Sequence, residues 1–236
     1  MHGSCLGLVP HGLPGEVRVW WVDLDAYPDT AAPHGRVADA RARNAHIAPD
    51  QDARRALAGR LALRDLVASA LDRPPEDLTF ESDPFGKPQV ADGGGLHVNL
   101  SHSGRMGLIG ISLDRPIGVD IEMVSQVVDA DALARLHLTE REREEWLRAA
   151  GPVRDRAFLT CWTRKEACVK ALGVGLSLPP ASIDVGCAAG GRVVQIPVGA
   201  SRCEVLVCTL QPPGEAVGAV AVASPEAVRT ARQFFN

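Results

Sequence analysis

The chain has 236 residues and a formal net charge of −4, and 46% of its residues are hydrophobic. Such a composition provides for a buried core, and the slight acidic surplus argues against a nucleic-acid binder with a strongly basic surface. No apolar run approaches the ~20 residues of a membrane span, and the N-terminal segment lacks the basic and apolar regions of a secretion signal. The six cysteines form no Cys-x-x-Cys pair and no zinc spacing with histidine. We therefore expect a reduced, cytoplasmic protein that binds no metal through sulfur.

The first half of the chain is predicted to contain a strand, a long helix and further strands. Branched and aromatic residues over 17–24 predict a β-strand. Apolar residues recur at helical spacing over 51–71, and two prolines follow this predicted helix. Two short strands, 96–100 and 106–113, flank a corner at 101–104.

The second half begins after a break near residue 115, with a predicted strand over 117–122. Thr139 and Glu142 fit a capping box, so we predict a helix start within the helical stretch 133–149. A second helix is predicted over 154–172, before a glycine that can end it. Three more strand-like runs lie at 192–196, 203–210 and 216–223.

The order of these elements predicts an α+β fold, because strands come in runs without a helix between each pair. Both halves consist of a strand, helical segments and further strands. We therefore expect two similar α+β halves, 1–115 and 116–236.

The first motif is Gly-Val-Asp-Ile-Glu at 118–122. Side chains two apart on a strand point to the same face, so Asp120 and Glu122 would present two carboxylates together while Val119 and Ile121 enter a core. Two close carboxylates raise each other's pKa unless a cation lies between them. The alternative is a pair of solvated acids on an exposed strand face.

The second motif contains two of the chain's three lysines, in Trp-Thr-Arg-Lys-Glu-Ala-Cys-Val-Lys at 162–170. Glu166 and Lys170 are four residues apart and share a helix face, whereas Lys165 points about 100° away and has no assigned role. A surface ion pair is the alternative. Because much of the predicted helix is apolar, we favour a Glu and a Lys that face a cleft.

Three further segments carry polar or cationic groups. Asn-Leu-Ser-His-Ser at 99–103 places Ser101 and His102 at a strand-to-strand corner, where a simple turn histidine is the alternative. Asp-Pro-Phe-Gly-Lys-Pro at 83–88 is a rigid turn that presents Lys87. A basic cluster surrounds the start of the first long helix, where basic side chains favour phosphate; its members are Arg41, Arg43, Arg54 and Arg55. A solvated helix face is the alternative, and we favour it for Arg54.

These segments together suit a polyanion with a diphosphate, held by a divalent ion. Asp120, Glu122 and Glu166 would supply three carboxylate oxygens, and Mg²⁺ completes its oxygen shell with water and substrate phosphates. Lys87, Lys170 and His102 would neutralise the remaining phosphate charge.

The motifs in this order resemble those of the 4'-phosphopantetheinyl transferases, specifically the monomeric surfactin-synthetase-activating type, from about residue 17 to 222. The resemblance implies two similar halves related by a pseudo-twofold, with coenzyme A and Mg²⁺ (or Mn²⁺) in the cleft between them. It implies transfer of phosphopantetheine to a serine of acyl or peptidyl carrier proteins, with release of adenosine 3',5'-bisphosphate.

Residue by residue, the resemblance implies that Asp120, Glu122 and Glu166 hold the metal against the diphosphate. Asp120 and Lys170 would both lie at the diphosphate, and Lys170 would stabilise charge as the bond breaks. The other implied coenzyme A contacts are Ser101, His102, Lys87, Arg43 and Arg55, the last two near the 3'-phosphate. Glu166, acting directly or through a metal-bound water, is the candidate base.

Three questions stay open at this point. The apolar segment 123–138 docks the carrier protein in the resembled family, but it could equally pack into the chain's own core. A metal-dependent phosphohydrolase would use the same carboxylates with water as nucleophile. A coenzyme A-binding regulatory module would bind the ligand without turnover.

Overall fold

The computed structural model describes residues 5–8, 13, 15–28, 51–91 and 93–235. The first of two four-stranded antiparallel sheets consists of β1 (Cys5–Leu8), β2 (Val17–Asp23), β5 (His97–Ser103) and β6 (Met106–Ser112). The order of these strands across the sheet is β1-β2-β6-β5. Helix α1 (Gln51–Leu71) covers one face of this sheet, and a small hairpin of β3 (Phe80–Ser82) and β4 (Pro88–Val90) follows the helix.

The second sheet is also antiparallel and consists of β7 (Ile117–Met123), β8 (Gly191–Val198), β9 (Ser201–Leu210) and β10 (Ala216–Ala223). The order of these strands across the sheet is β7-β10-β9-β8. Helices α2 (Ala130–His137), α3 (Glu140–Leu147) and α4 (Gly151–Leu172) lie between β7 and β8 in sequence, and α5 (Pro225–Phe235) follows β10. Short 3-10 turns occur at Pro75–Asp77, Gly175–Ser177 and Pro180–Ser182.

Three apolar clusters hold these layers together. One lies between α1 and the first sheet, and another between α4, α5 and the second sheet. The third joins the two sheets: Trp21 and Leu108 of the first pack with Val119 and Ile121 of the second. The predicted inward orientation of Val119 and Ile121 is confirmed, since both are fully or almost fully buried.

The edge strands of the two sheets run beside each other. Asn99 of β5 is buried, and its side-chain oxygen accepts a 2.8 Å hydrogen bond from the backbone N–H of Val119 in β7. At this point the Asn99 side chain joins β5 and β7, which are not paired by backbone hydrogen bonds in one sheet. The chain passes from one sheet to the other between Ser112 and Ile117, near the predicted division at residue 115; two separate domains, 1–115 and 116–236, stay a prediction.

The α+β class is confirmed, and most predicted elements are present. The predicted helical stretch 133–149 is divided into α2 and α3, and the capping box that starts α3 is confirmed, with both of its hydrogen bonds formed. Helix α4 begins at Gly151, three residues before the prediction, and ends at a left-handed Gly173 as expected. No described helix has the combined length and hydropathy needed to span a bilayer.

Among the described residues, the strands and α-helices that the sequence analysis missed are β1, β3, β4 and α5. Strands of three or four residues carry too little alternation to stand out in sequence. Helix α5 does carry apolar residues at helical spacing: Ala227 and Ala231 are buried, and Val228 and Phe235 pack against the same core. Its pattern was present in the sequence and was overlooked.

A buried ion pair fixes α3 against α4 and gives Lys165 a structural role. Lys165 Nζ lies 2.6 Å from Glu142 Oε2, and both side chains are 0% exposed. The same ammonium donates to the carbonyl oxygens of Pro180 and Ile183. Burial opposes the ionisation of Glu142, but the Lys165 ammonium and backbone N–H donors outweigh it and lower the pKa of this carboxyl.

We predict that Lys165→Met lowers the free energy of unfolding by about 3–5 kcal/mol, because it leaves the Glu142 carboxylate buried without its cation. Denaturant unfolding at pH 7 measures this loss. The double variant with Glu142→Gln should recover part of it, since no buried charge is then uncompensated. A single variant as stable as the wild type would contradict the assignment.

Candidate functional site

The two motif carboxylates of β7 face hydroxyl groups of β5. Ser101 Oγ donates a 2.8 Å hydrogen bond to Asp120 Oδ1, and Ser103 Oγ donates one of the same length to Glu122 Oε2. Alternate side chains of one strand therefore meet alternate side chains of the next. The carboxylates are held by donors, in contrast to solvated acids on an exposed face: Asp120 is only 5% exposed.

Helix α4 brings Lys170 to the same place. Its Nζ lies 2.6 Å from Asp120 Oδ1 and 3.1 Å from Ser101 Oγ. Lys170 is not an exposed i,i+4 partner of Glu166 alone, because it forms an ion pair across elements with a carboxylate that is almost fully buried. The Lys170 side chain is nevertheless partly accessible to solvent, since 28% of it is exposed.

Gly118 allows α4 to lie directly on β7. A Cβ atom at this position would overlap the carbonyl oxygen of Ala167 and the backbone nitrogen of Ala171, and would fall 2.9 Å from the backbone carbon of Lys170. The absence of a side chain therefore brings the carboxylates of β7 next to Glu166 and Lys170. This glycine is needed for close approach, since its φ is not left-handed.

The environment disfavours ionisation of all three carboxyls. Burial raises the pKa of Asp120, although Lys170 and Ser101 oppose this shift. Burial also raises the pKa of Glu122 and Glu166, and the carboxylate of Asp120 adds to both shifts. The cluster thus carries more negative charge than Lys170 alone can balance.

One buried oxygen fits a divalent cation. Asp120 Oδ2 is buried and has no hydrogen-bond partner, and buried carboxylate oxygens are normally satisfied. Among the described residues, no three His, Cys, Asp or Glu side chains stand at metal-ligating distances. The all-oxygen donor set of Asp120, Glu122 and Glu166 nevertheless matches what Mg²⁺ requires, and a cation would relieve their mutual repulsion.

The remaining predicted ligand contacts are dispersed. His102 is exposed on β5, adjacent to Ser101. Arg55, in the first turns of α1, makes a two-pronged 2.8 Å ion pair with Asp25. Arg41 and Arg43 lie outside the described residues.

Lys87 has partners that the sequence did not reveal. Its Nζ donates 2.7 Å hydrogen bonds to the carbonyl oxygens of Ile117 and Lys170. Burial lowers the pKa of Lys87 to about 8. These are backbone contacts at the edge of the site, so a coenzyme A contact by Lys87 stays a prediction.

The apolar segment after β7 is largely part of the chain's own core. Val124, Val127 and Leu133 pack against the cluster under α4, and Ala134 and Leu138 are buried in it. The exposed apolar side chains of the segment are Val128 and Leu136.

Sequence reasoning did not assign Ser103, which contacts Glu122. The available signal was the alternation of small polar side chains at 99, 101 and 103, which places all three on one face of β5. Glu142 was assigned only to a helix cap, because its pairing with Lys165 depends on packing between helices.

Comparisons with known proteins agree on one family. Residues 116–210 match the model of the 4'-phosphopantetheinyl transferase superfamily, and residues 38–112 match the model of the N-terminal part of a 4'-phosphopantetheinyl transferase. The 4'-phosphopantetheinyl transferase HetI of Nostoc is 32% identical over 172 residues, 70% of this chain and 72% of its own length.

Two further relatives extend the comparison. The 4'-phosphopantetheinyl transferase ffp of Bacillus subtilis is 31% identical over 163 residues, 69% of this chain and 71% of its own. The Synechocystis protein slr0495, named provisionally for the same activity, is 38% identical over 138 residues. That match covers 58% of this chain but only 56% of the Synechocystis protein.

We predict that, in buffer free of divalent ions, Glu166→Gln raises the midpoint of thermal unfolding at pH 7 by about 1–3 °C. A raised native pKa means that the native state holds this proton more tightly, so stability falls as pH rises from the ordinary pKa of a glutamate through the raised value. The glutamine side chain carries no charge, so the variant does not lose stability in this way as the pH rises. The difference should vanish below the ordinary pKa, where both states are protonated.

Calorimetry at several pH values would measure this effect. Glu144→Gln, on the exposed surface of α3, is the matched control and should leave the midpoint unchanged. A lower midpoint for Glu166→Gln at pH 7 would contradict an electrostatic penalty at Glu166.

Proposed function

Because this chain belongs to the 4'-phosphopantetheinyl transferase superfamily, we propose that it transfers the phosphopantetheine arm of coenzyme A to a serine of acyl or peptidyl carrier proteins. The second product is adenosine 3',5'-bisphosphate. The observation that carries the proposal is the meeting of β5, β7 and α4, where Lys170 lies 2.6 Å from an Asp120 carboxylate whose other oxygen is unpartnered.

Asp120, Glu122 and Glu166 would hold a divalent ion, Mg²⁺ or alternatively Mn²⁺. When bound, the ion supplies positive charge against the diphosphate of coenzyme A. The unpartnered Asp120 Oδ2 and the raised pKa of all three carboxyls support this assignment.

Lys170, Ser101 and His102 would bind the phosphates next to the carboxylates. Lys170 and Ser101 already form one hydrogen-bonded group with Asp120, so a diphosphate there would meet both an ammonium and a hydroxyl. Arg43 and Arg55 are assigned to the 3'-phosphate. The guanidinium of Arg55 binds the Asp25 carboxylate in a fork, a geometry that also suits phosphate.

The transfer is an in-line displacement at the pantetheine-side phosphorus. Glu166 is the proposed base that accepts the proton of the carrier serine. The serine oxygen forms the new P–O bond as the bond to the departing bisphosphate breaks. Lys170 offsets the negative charge that develops on that leaving group.

We also propose that the protein is a cytoplasmic monomer. Its ligand cleft would lie between two α+β halves, 1–115 and 116–236. The carrier protein would bind on the side of the cleft where Glu166 lies, so that the carrier serine can reach the phosphorus.

We predict that Asp120→Ala and Glu166→Ala each lower transfer at least about 100-fold, because each removes charge arranged for the transition state. The assay incubates the protein with coenzyme A, Mg²⁺ and a panel of apo-carrier proteins, and detects the added arm by mass spectrometry. Glu144→Ala on the exposed surface of α3 is the control. Near-normal transfer by either site variant would contradict the assignment.

The same assay separates the alternatives. Release of phosphopantetheine from coenzyme A without a carrier would indicate a phosphohydrolase. Tight coenzyme A binding without turnover would indicate a binding module.

We predict that Lys170→Arg loses at least about tenfold in kcat, although it preserves the charge. The ammonium lies between Asp120 Oδ1 and Ser101 Oγ at 2.6 and 3.1 Å, a space for a compact cation and not a planar fork. Steady-state kinetics with one carrier protein measures the change. Undiminished turnover would mean that charge alone is required at this position.

A further inference from the structure

Lys87 links the two secondary-structure elements that carry the candidate catalytic groups. One of its acceptors, Ile117 O, belongs to the first residue of β7, and the other, Lys170 O, lies in the last turn of α4. Strand β7 carries Asp120 and Glu122, and α4 carries Glu166. Each hydrogen bond is 2.7 Å long, so a single ammonium joins both backbones.

The acceptor on α4 is one that suits a cation. The last four carbonyls of an α-helix have no partner within the helix, and that end of the helix carries partial negative charge. Lys170 is the third residue from the end of α4. Lys87 therefore satisfies a carbonyl that the helix leaves free, at the residue whose side chain binds Asp120.

The turn that presents Lys87 is itself fixed. Asp83 Oδ1 accepts hydrogen bonds from the backbone N–H groups of Phe85 and Lys87, at 3.0 and 2.9 Å. Asp83 Oδ2 accepts a 2.8 Å bond from Arg232 of α5, and the Asp83 side chain is only 2% exposed in this ion pair. The turn that carries the Lys87 ammonium is thus also held to the second half of the chain, by the ion pair of Asp83 with Arg232.

Strand β7 and helix α4 are already in backbone contact at Gly118, the residue after Ile117. Gly118 removes the steric limit on approach, but it supplies no force that fixes the helix along the strand. The two hydrogen bonds of Lys87 supply such a force on the same side of the contact.

We propose that Lys87 is a positioning residue that holds α4 in register on β7 and thereby sets the distance from Glu166 to Asp120 and Glu122. The inference rests on the proposed transferase function. It assigns to Lys87 a task other than phosphate binding: its two 2.7 Å partners are backbone carbonyls of the strand and the helix.

The test compares Lys87→Met, which keeps an unbranched stem but removes the donors, with Lys87→Arg. For Lys87→Met we expect kcat to fall on the order of 10–100-fold, because small displacements of reacting groups are costly. The Kd of coenzyme A, measured by calorimetry, should change by less than about threefold, since no phosphate contact is lost. Gln89→Met, exposed on the same hairpin, is the matched control and should match the wild type in both quantities.

Lys87→Arg separates positioning from phosphate binding. Arginine binds phosphate well, so a phosphate contact would survive the change with little loss of affinity. A guanidinium can also donate to two carbonyls, but it is larger than an ammonium and would displace one of the two that Lys87 holds at 2.7 Å. A positioning role therefore predicts that kcat falls while the Kd of coenzyme A stays near the wild-type value.

Once the wild-type protein is shown to transfer the arm, the two variants decide the proposal. Rates are expressed per folded molecule, from near-ultraviolet circular dichroism at the assay temperature, so a less stable variant is still informative. Wild-type kcat for the folded fraction of either variant would overturn the positioning role, as would a loss confined to coenzyme A affinity. If the wild-type protein itself transfers nothing, the proposed function fails and not the role of Lys87.

Discussion

The close contact between β7 and α4 at Gly118 is the constraint on which the rest of the structure depends. Backbone meets backbone there, because any side chain would overlap the helix at Ala167 and Ala171. The contact places a strand with two carboxylates against a helix with a third carboxylate and an ammonium. Such an approach buries Asp120 almost completely, and the raised pKa of that carboxyl is its electrostatic consequence.

Two of the ion pairs in the second half of the chain, both formed by lysines, have different physical roles. Glu142 and Lys165 are fully buried and satisfied on all sides, so their pair connects helices and leaves no oxygen for a ligand. Asp120 and Lys170 are less complete, since one carboxylate oxygen has no partner and the ammonium is partly exposed. An incomplete polar cluster is costly to a fold unless a ligand completes it. This difference separates the candidate site from the structural core.

All three lysines of the chain lie where a compact cation meets several acceptors. Lys165 contacts one carboxylate and two carbonyls, Lys87 contacts two carbonyls, and Lys170 contacts a carboxylate and a hydroxyl. A guanidinium nitrogen can do the same, since Arg64 Nη1 donates to the carbonyls of Pro75 and Leu78. The small volume of the ammonium, and not the number of its acceptors, is therefore what distinguishes lysine at these positions. One lysine lies within the core, another at the edge of the site and the third among the carboxylates.

The sequence by itself determined the α+β class, the capping box at Thr139 and the shared faces of β7 and α4, because strand and helix periodicity fix which neighbouring side chains lie together. It could not show that Lys87 reaches Lys170, 83 positions away, or that Lys165 pairs with Glu142. Those contacts depend on how elements distant in sequence pack. Only the tertiary structure decided them, because a contact between side chains of two distant elements leaves no periodic pattern in a single sequence.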